Sequence, residues 1–371
     1  MKEFFLAAET RIRILPGAVK VAILAILFIF GTIIAGIYLD RMEVYKYMST
    51  DLNPDIGLVK SWSQWDARNF QAITENSYRL DTPEKFPFFP LYPLLTYVVH
   101  KIFNISPPLA QLFISWTFLV AGAVILYHWL TLEIKQRKLK ISPYFVLFLV
   151  AIFPTSFYFC AGYSESLFFF LTVGSIYTYR AERYITSGVL VALSSATRVH
   201  GCLLSIFYLL DFLSVKKRSF NYKKLVPIFM APLGVLSYML FLWINFGDPF
   251  LFVTAQKLYN RLGGNFVETI AASMEPRYAW YLPVISLGLY AVYKYLGKAW
   301  LVYCSVYILL PLASGRFDSL NRYVLPLVPM FLALGTFLQA SPAWVRYTFI
   351  VMSTFLLAIN LLFYVNNHWV A

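Results

Sequence analysis

Apolar residues run through this chain in blocks instead of alternating with polar ones. Blocks at 19–39, 110–132 and 345–365 are each near the ~20 residues that cross a ~30 Å hydrocarbon core as a helix. No water reaches the backbone at that depth, so each block must satisfy its own hydrogen bonds as a helix. The two-residue alternation of a membrane barrel is missing. The pattern predicts about eleven spans, near 18–39, 108–131, 142–160, 164–180, 184–197, 199–214, 224–246, 279–296, 298–314, 322–339 and 344–366. The fifth and sixth are short and divide at Thr197 and Arg198. The expected fold class is an all-α polytopic membrane protein, a single transmembrane domain over 1–371. A first outer loop at 40–107 carries interfacial helices, and a second long outer loop lies at 247–278.

Residues 88–103 (FFPLYPLLTYVVHKIF) decide the topology, because Pro90 and Pro93 interrupt them. If they cross, the basic segment EIKQRKLK (133–140) falls outside. If they lie at the interface, that segment is cytoplasmic. So are the N-terminus, 180–183, KKRSFNYKK (216–224), 294–298 and Arg346. The positive-inside rule selects the interfacial placement, with the N-terminus cytoplasmic. In the first outer loop, Ile56, Val59, Trp62, Phe70 and Ile73 suit a segment lying on the membrane surface.

Composition agrees. The chain is 60% hydrophobic and 13% charged, against about 45–50% and about 25% in soluble domains. Its net charge of +13 is the cytoplasmic bias just described, so membrane lipids are expected neighbours and nucleic acid is not. Cys160, Cys202 and Cys304 have no CxxC spacing and give neither a disulfide framework nor a zinc site. Arg11, Arg13 and Lys20 precede the first apolar run as in a signal peptide. The run is too long and lacks a small-residue cleavage site, so it is read as a retained helix. There is no GxxxxGK[ST], GxGxxG or HExxH, hence no sign of ATP, a dinucleotide or a protease-type metal.

Charged groups near membrane depth are costly and mark function. Asp66, Glu165, Arg198, Asp248, Arg316, Asp318 and Arg322 all fall on the outer side, at helix ends or in loops, while the cytoplasmic ends offer only Lys/Arg runs. One site assembled there from several helix ends would suit a phosphate and a hydroxyl nucleophile. Asp66, beside Trp65, is a candidate general base; the plainer role is a helix cap or a loop salt bridge. Tyr92, between the two prolines of FFPLYP, could lend a hydroxyl. Ser164 and Glu165 open a helix, where backbone N–H groups also favour anions. Arg198 needs an anion, either a carboxylate such as Glu165 or a phosphate, and His200 adds a hydrogen-bonding ring. Gly247-Asp248-Pro249 reads first as a turn, with Gln256 beyond it as a polar contact. Arg316 and Arg322 fit a lipid phosphate at the boundary.

Several stretches together resemble the PIG-V family of mannosyltransferases, related to GPI mannosyltransferase II, in the GT-C class of membrane glycosyltransferases. They are QWDARNF (64–70), FPFFPLYPLL (86–95), FPTSFYFCAGYSESLFFFLTVG (153–174), SGVLVALSSATRVHG (187–201), GDPFLFVTAQ (247–256) and NRYVLPLVPMF (321–331). The resemblance implies a GT-C fold with an essential acid in the first outer loop, which Asp66 matches. It implies an inverting transfer of a hexose, mannose by preference, from a polyprenyl- or dolichyl-phosphate sugar to a lipid or glycan acceptor on the extracytoplasmic face of a cell membrane. From charge and side, Arg198, Arg316 and Arg322 are the donor-phosphate candidates. Trp65, Tyr92, Ser164, Glu165, His200, Asp248 and Gln256 are candidates for substrate contact. A divalent cation is compatible but not required, and the resemblance leaves room for an accessory membrane subunit. The competing class is a transporter or flippase of a lipid-linked substrate. It predicts polar residues at the midplane and repeat symmetry, whereas the polar groups here gather on one side.

Overall fold

The computed structural model describes residues 15–41, 58–214, 221–259, 281–313 and 319–370. Among them the α-helices longer than four residues are α1 (Gly17–Arg41), α2 (Asp66–Asn76), α3 (Leu91–Phe103), α4 (Pro107–Arg137), α5 (Pro143–Ala151), α6 (Glu165–Arg180) and α7 (Tyr184–Thr197). They continue with α8 (Leu204–Ser214), α9 (Leu225–Met230), α10 (Leu233–Phe246), α11 (Tyr281–Leu296), α12 (Lys298–Ala313), α13 (Val328–Ala340) and α14 (Ala343–Val365). No strand occurs among the described residues, and the protein is an all-α, multi-pass membrane protein.

The anticipated crossings are not all long helices. Four segments are long and apolar enough to span by themselves: Gly17–Asp40, Pro107–Arg137, Tyr222–Phe246 and Ala343–Val365. Tyr184–Thr197, Val199–Ser214, Lys298–Leu312 and Val328–Ala340 are apolar but shorter. The break expected near Thr197 is present: Arg198 turns to extended backbone, φ −156°, and a 3₁₀ turn over Val199–Leu203 leads into α8. α4 opens on Pro107 and Pro108, whose fixed φ suits a first helical turn. α10 stops at Gly247, φ 76°, a left-handed cap that glycine adopts without strain.

Helices pack through small residues and hydrogen bonds, as expected where lipid removes the hydrophobic drive between helices. Ser175 on α6 donates to Ser187 O on α7 at 2.8 Å and meets the Tyr208 hydroxyl of α8 at 2.6 Å. Thr172 and Ser194 pair at 3.0 Å one turn away. Gly234 N donates to Ser195 Oγ at 3.1 Å, and a Cβ at Gly234 would collide with the Ala192 carbonyl.

The chain runs back and forth between two polar ends. At one, Glu133 on α4 takes Arg137 and Arg180, while Asp211 on α8 takes Arg180 at 3.2 Å and Lys224 at 3.0 Å. Arg137 also donates to Leu296 O at 2.9 Å, tying in α11. The sequence suggested only Lys/Arg runs here. Two acids correct that: this close to the bundle the cations need partners to offset their desolvation. The other end holds the start of α6, the end of α7, α2 and the Leu320–Tyr323 turn.

The first loop differs from expectation in one respect. Trp62, Phe70 and Ile73 do not face outward as a membrane-surface segment would have them; all three are buried. Trp62 meets Tyr364, and Phe70 meets Phe88 and Tyr92. Their apolar area is taken up by the bundle, and Ile56 lies outside the described residues. The outward apolar face belongs to α3, through Leu94, Tyr97, Val98, Ile102 and Phe103.

Candidate active site

α2 starts at Asp66 because the chain before it is pinned. Gly162 N donates to Trp62 O at 2.8 Å, and the Tyr163 hydroxyl donates to Gln64 O at 2.9 Å. Gln111 Nε2 on α4 donates to Ala67 O at 3.0 Å. Trp65 between these anchors has φ 52° and ψ −114°, a sparsely populated backbone conformation that costs an L-residue on the order of 1–3 kcal/mol. Such strain persists only where the surroundings over-determine it, and it concentrates at functional sites.

Four charged side chains from four elements meet at this end. Arg322 Nη2 donates to Asp66 Oδ2 at 2.7 Å, and Arg322 Nε reaches Glu165 Oε1 at 3.0 Å. Arg198 Nη2 reaches the same Glu165 Oε1 at 2.5 Å, and Arg198 Nε donates to Ser164 Oγ at 3.0 Å. Glu165 is fully buried, Arg322 is 4% exposed, Arg198 12% and Asp66 20%. The charges balance, two acids against two arginines, which is what makes so buried a group tolerable. Glu165 also sits at the amino end of α6, where the macrodipole favours an anion.

The network keeps polar atoms in reserve. Glu165 Oε2, Arg198 Nη1, Arg322 Nη1 and the hydroxyls of Tyr158 and Tyr307 are buried with no hydrogen-bond partner. Each such group costs about 1–3 kcal/mol unless something satisfies it. Aromatic rings line the arginines. The Arg322 guanidinium lies over Tyr163 at 5.3 Å, Tyr158 at 5.4 Å, Tyr323 at 5.8 Å and Trp369 at 5.9 Å. Arg198 shares Tyr323, also at 5.8 Å.

Of the residues singled out from sequence, Asp66, Ser164, Glu165, Arg198 and Arg322 are brought into direct contact. His200 stacks on Tyr323 at 5.0 Å, on the ring shared by both arginines. Trp65 stands at the rim, its ring 5.4 Å from that of Trp369. Tyr92 does not join them: its hydroxyl lies 3.3 Å from Gln111 O and from Ser115 Oγ, in the packing of α3 on α4. Asp248 uses Oδ1 to accept from Phe250 N at 2.8 Å, the turn its sequence suggested. Gln256 lies half-buried in the turn Ala255–Tyr259, away from these contacts. Arg316 lies outside the described residues. Ser164 does not cap α6 with its side chain; it serves Arg198 instead. The sequence missed Tyr158, Tyr163, Tyr323 and Trp369. The first three stand inside quoted motifs, but nothing distinguished them among 27 tyrosines.

The profile of the Mannosyltransferase (PIG-V) family matches residues 53–262, more than half of the chain. The chain belongs to the PIG-V mannosyltransferase family. That match covers Asp66, Glu165 and Arg198, while Arg322 lies beyond it. Among individual relatives, the GPI alpha-1,6-mannosyltransferase 2 of Cricetulus griseus is 27% identical over 328 residues, covering 79% of this chain and 58% of that protein. The Mus musculus protein of the same name is 27% identical over 327 residues, covering 79% and 59%. This PIG-V family member thus spans less than two thirds of the length of the curated relatives it matches. Among solved structures, an Archaeoglobus fulgidus oligosaccharyltransferase tethered to an acceptor peptide superposes with TM-score 0.46 and 11% identity, over 93% of this chain and 55% of that one. The archaeal enzyme in complex with an inhibitory peptide and a dolichol-phosphate gives TM-score 0.43 and 12% identity, over 92% and 55%.

Proposed function

We propose that this protein moves a mannosyl residue from a polyprenyl- or dolichyl-phosphate donor to a hydroxyl of a lipid or glycan acceptor, with inversion. The observation that carries this reading is the buried chain Asp66–Arg322–Glu165–Arg198, a carboxylate held beside two arginines within a mannosyltransferase family. Asp66 takes the proton of the acceptor hydroxyl as that oxygen bonds to the anomeric carbon. The bond from that carbon to the phosphate oxygen breaks, and polyprenyl phosphate leaves. Asp66 Oδ2 is held by Arg322, so Oδ1 is the oxygen presented to the acceptor. The charge growing on the phosphate is met by Arg198 and Arg322 through their Nη1 donors, which have no hydrogen-bond partner of their own. Fixed donors in a water-poor setting stabilise such charge without reorganising. In this reading arginine supplies the positive charge.

The basic end of the bundle faces the cytoplasm by the positive-inside rule, which puts the N-terminus inside and the site on the extracytoplasmic face. The lipid or glycan acceptor and any accessory subunit belong to this proposal as well.

The test is transfer by purified protein in proteoliposomes, from radiolabelled polyprenyl-phosphate mannose to a membrane-lipid and glycan mixture. Label appearing in an acceptor supports the reading. Protein that neither transfers label nor binds the donor overturns it and turns attention to lipid transport.

A further inference from the structure

After α14 the chain folds back on itself. Asn367 has a left-handed backbone, φ 63°, and His368 N donates to Phe363 O at 2.9 Å. Asn321 Nδ2 donates to Val370 O at 3.4 Å, fastening this turn to the segment that carries Arg322. The result is that Trp369 stands 5.9 Å from the Arg322 guanidinium and 5.4 Å from Trp65, with the two indoles at 72°. Trp65 is 37% exposed and Trp369 39%. Two half-exposed indoles therefore stand beside the Asp66–Arg322 pair, of which Asp66 is 20% exposed.

We propose that Trp369, with Trp65, forms a platform on which the pyranose ring of a hexose substrate stacks beside the Asp66–Arg322 pair. The proposal rests on the sugar-transfer reading of the site and adds to it a residue beyond the family match. A hexopyranose presents C–H groups on one face, weakly positive and apolar, which suit the electron-rich face of an indole. The two rings meet edge to face and each stays more than a third exposed, so indole surface is accessible beside the pair. The plainer role for a tryptophan near the end of a membrane helix is an interfacial anchor. Trp344, at the opposite end of α14 and 71% exposed, fits that role. An anchor needs no turn folded back over an ion pair, and Trp369 has one.

The experiment uses the full chain in proteoliposomes with radiolabelled polyprenyl-phosphate mannose. Donor is varied at saturating acceptor, then acceptor at saturating donor, for wild type, Trp369→Ala, Trp369→Leu, Trp369→Phe and Trp344→Ala. The alanine and leucine variants are expected to raise one KM about tenfold, the size of one lost aromatic contact, with a smaller change in kcat. The phenylalanine variant should recover to within about threefold, since it restores a π face. Which KM rises tells whether the donor sugar or the acceptor sugar is stacked. Leucine keeps the apolar bulk, so it remains informative if the alanine variant does not fold. Unchanged KM values in Trp369→Leu, or losses equal to those of Trp344→Ala, would overturn the platform while leaving transfer intact. If wild type shows no transfer, the transferase reading turns on whether it still binds donor. The platform is then judged by tryptophan fluorescence. Polyprenyl-phosphate mannose should quench wild type more than sugar-free polyprenyl phosphate does, and the difference should vanish in Trp369→Leu. No such difference in wild type would overturn the platform.

Discussion

Arg322 Nε and Nη2 hold two different carboxylates, Glu165 at 3.0 Å and Asp66 at 2.7 Å, so one guanidinium fixes the distance between the acid at the rim and the acid in the core. A lysine at this position carries the charge but not the fork. Arg322→Lys is expected to lower kcat about 100-fold or more, in line with loss of one fixed charge-stabilising donor. It should retain most of its thermal stability, and steady-state transfer measured beside a melting curve separates the two effects.

Glu165 bears on both arginines through a single oxygen. Removing its charge leaves two buried cations facing one remaining acid. Glu165→Gln should therefore cost about 3–5 kcal/mol of stability. Combining it with Arg198→Gln should cost less than the sum of the two single changes, because the second substitution removes a cation the first left uncompensated. Unfolding in graded denaturing detergent across the double-mutant cycle checks this; additive losses would show that the pair is not coupled.

The opposite end of the bundle offers a control with similar chemistry. Glu133 and Asp211 bind Arg137, Arg180 and Lys224 there, about 20 Å from Glu165 along α6 by helical rise. Glu133→Gln should lower the unfolding midpoint while leaving the KM of the surviving folded protein within about twofold of wild type. A large change in KM would mean that the two ends communicate.

Much of this arrangement was legible in the sequence, and the physical reason is membrane cost. Asp66, Glu165, Arg198 and Arg322 stand out because charge is rare beside apolar runs. The carboxylate named as a partner for Arg198 is the one it meets. From sequence Arg322 is a donor-phosphate candidate; its sharing between two acids is visible only in the structure, because the pairing joins positions far apart in the chain. Trp62, Phe70 and Ile73 have the spacing of a membrane-surface face but turn inward, since periodicity tells that one face is apolar and not what covers it. At the basic end Glu133 is outnumbered by the four cations of EIKQRKLK, and Asp211 sits alone near the end of an apolar helix. Trp369 gave no signal, as aromatic residues make up 19% of the chain.

Helix packing carries its own prediction at Gly234, where any Cβ would strike the Ala192 carbonyl of α7. Gly234→Leu should force α10 away from α7, with overpacking costing about 1–3 kcal/mol or more. Expression and melting temperature in detergent should both fall, while Gly31→Leu, with open space around its Cβ, should leave them unchanged.

The most direct measurement is single-turnover transfer from radiolabelled polyprenyl-phosphate mannose by Asp66→Asn beside wild type, with donor binding measured on the same samples. The amide keeps the shape of the side chain but cannot take the proton of an acceptor hydroxyl. The account predicts that the variant folds, binds donor within about threefold of wild type and transfers at least about 100-fold more slowly. Transfer by Asp66→Asn at the wild-type rate would contradict it and move the base elsewhere in the site.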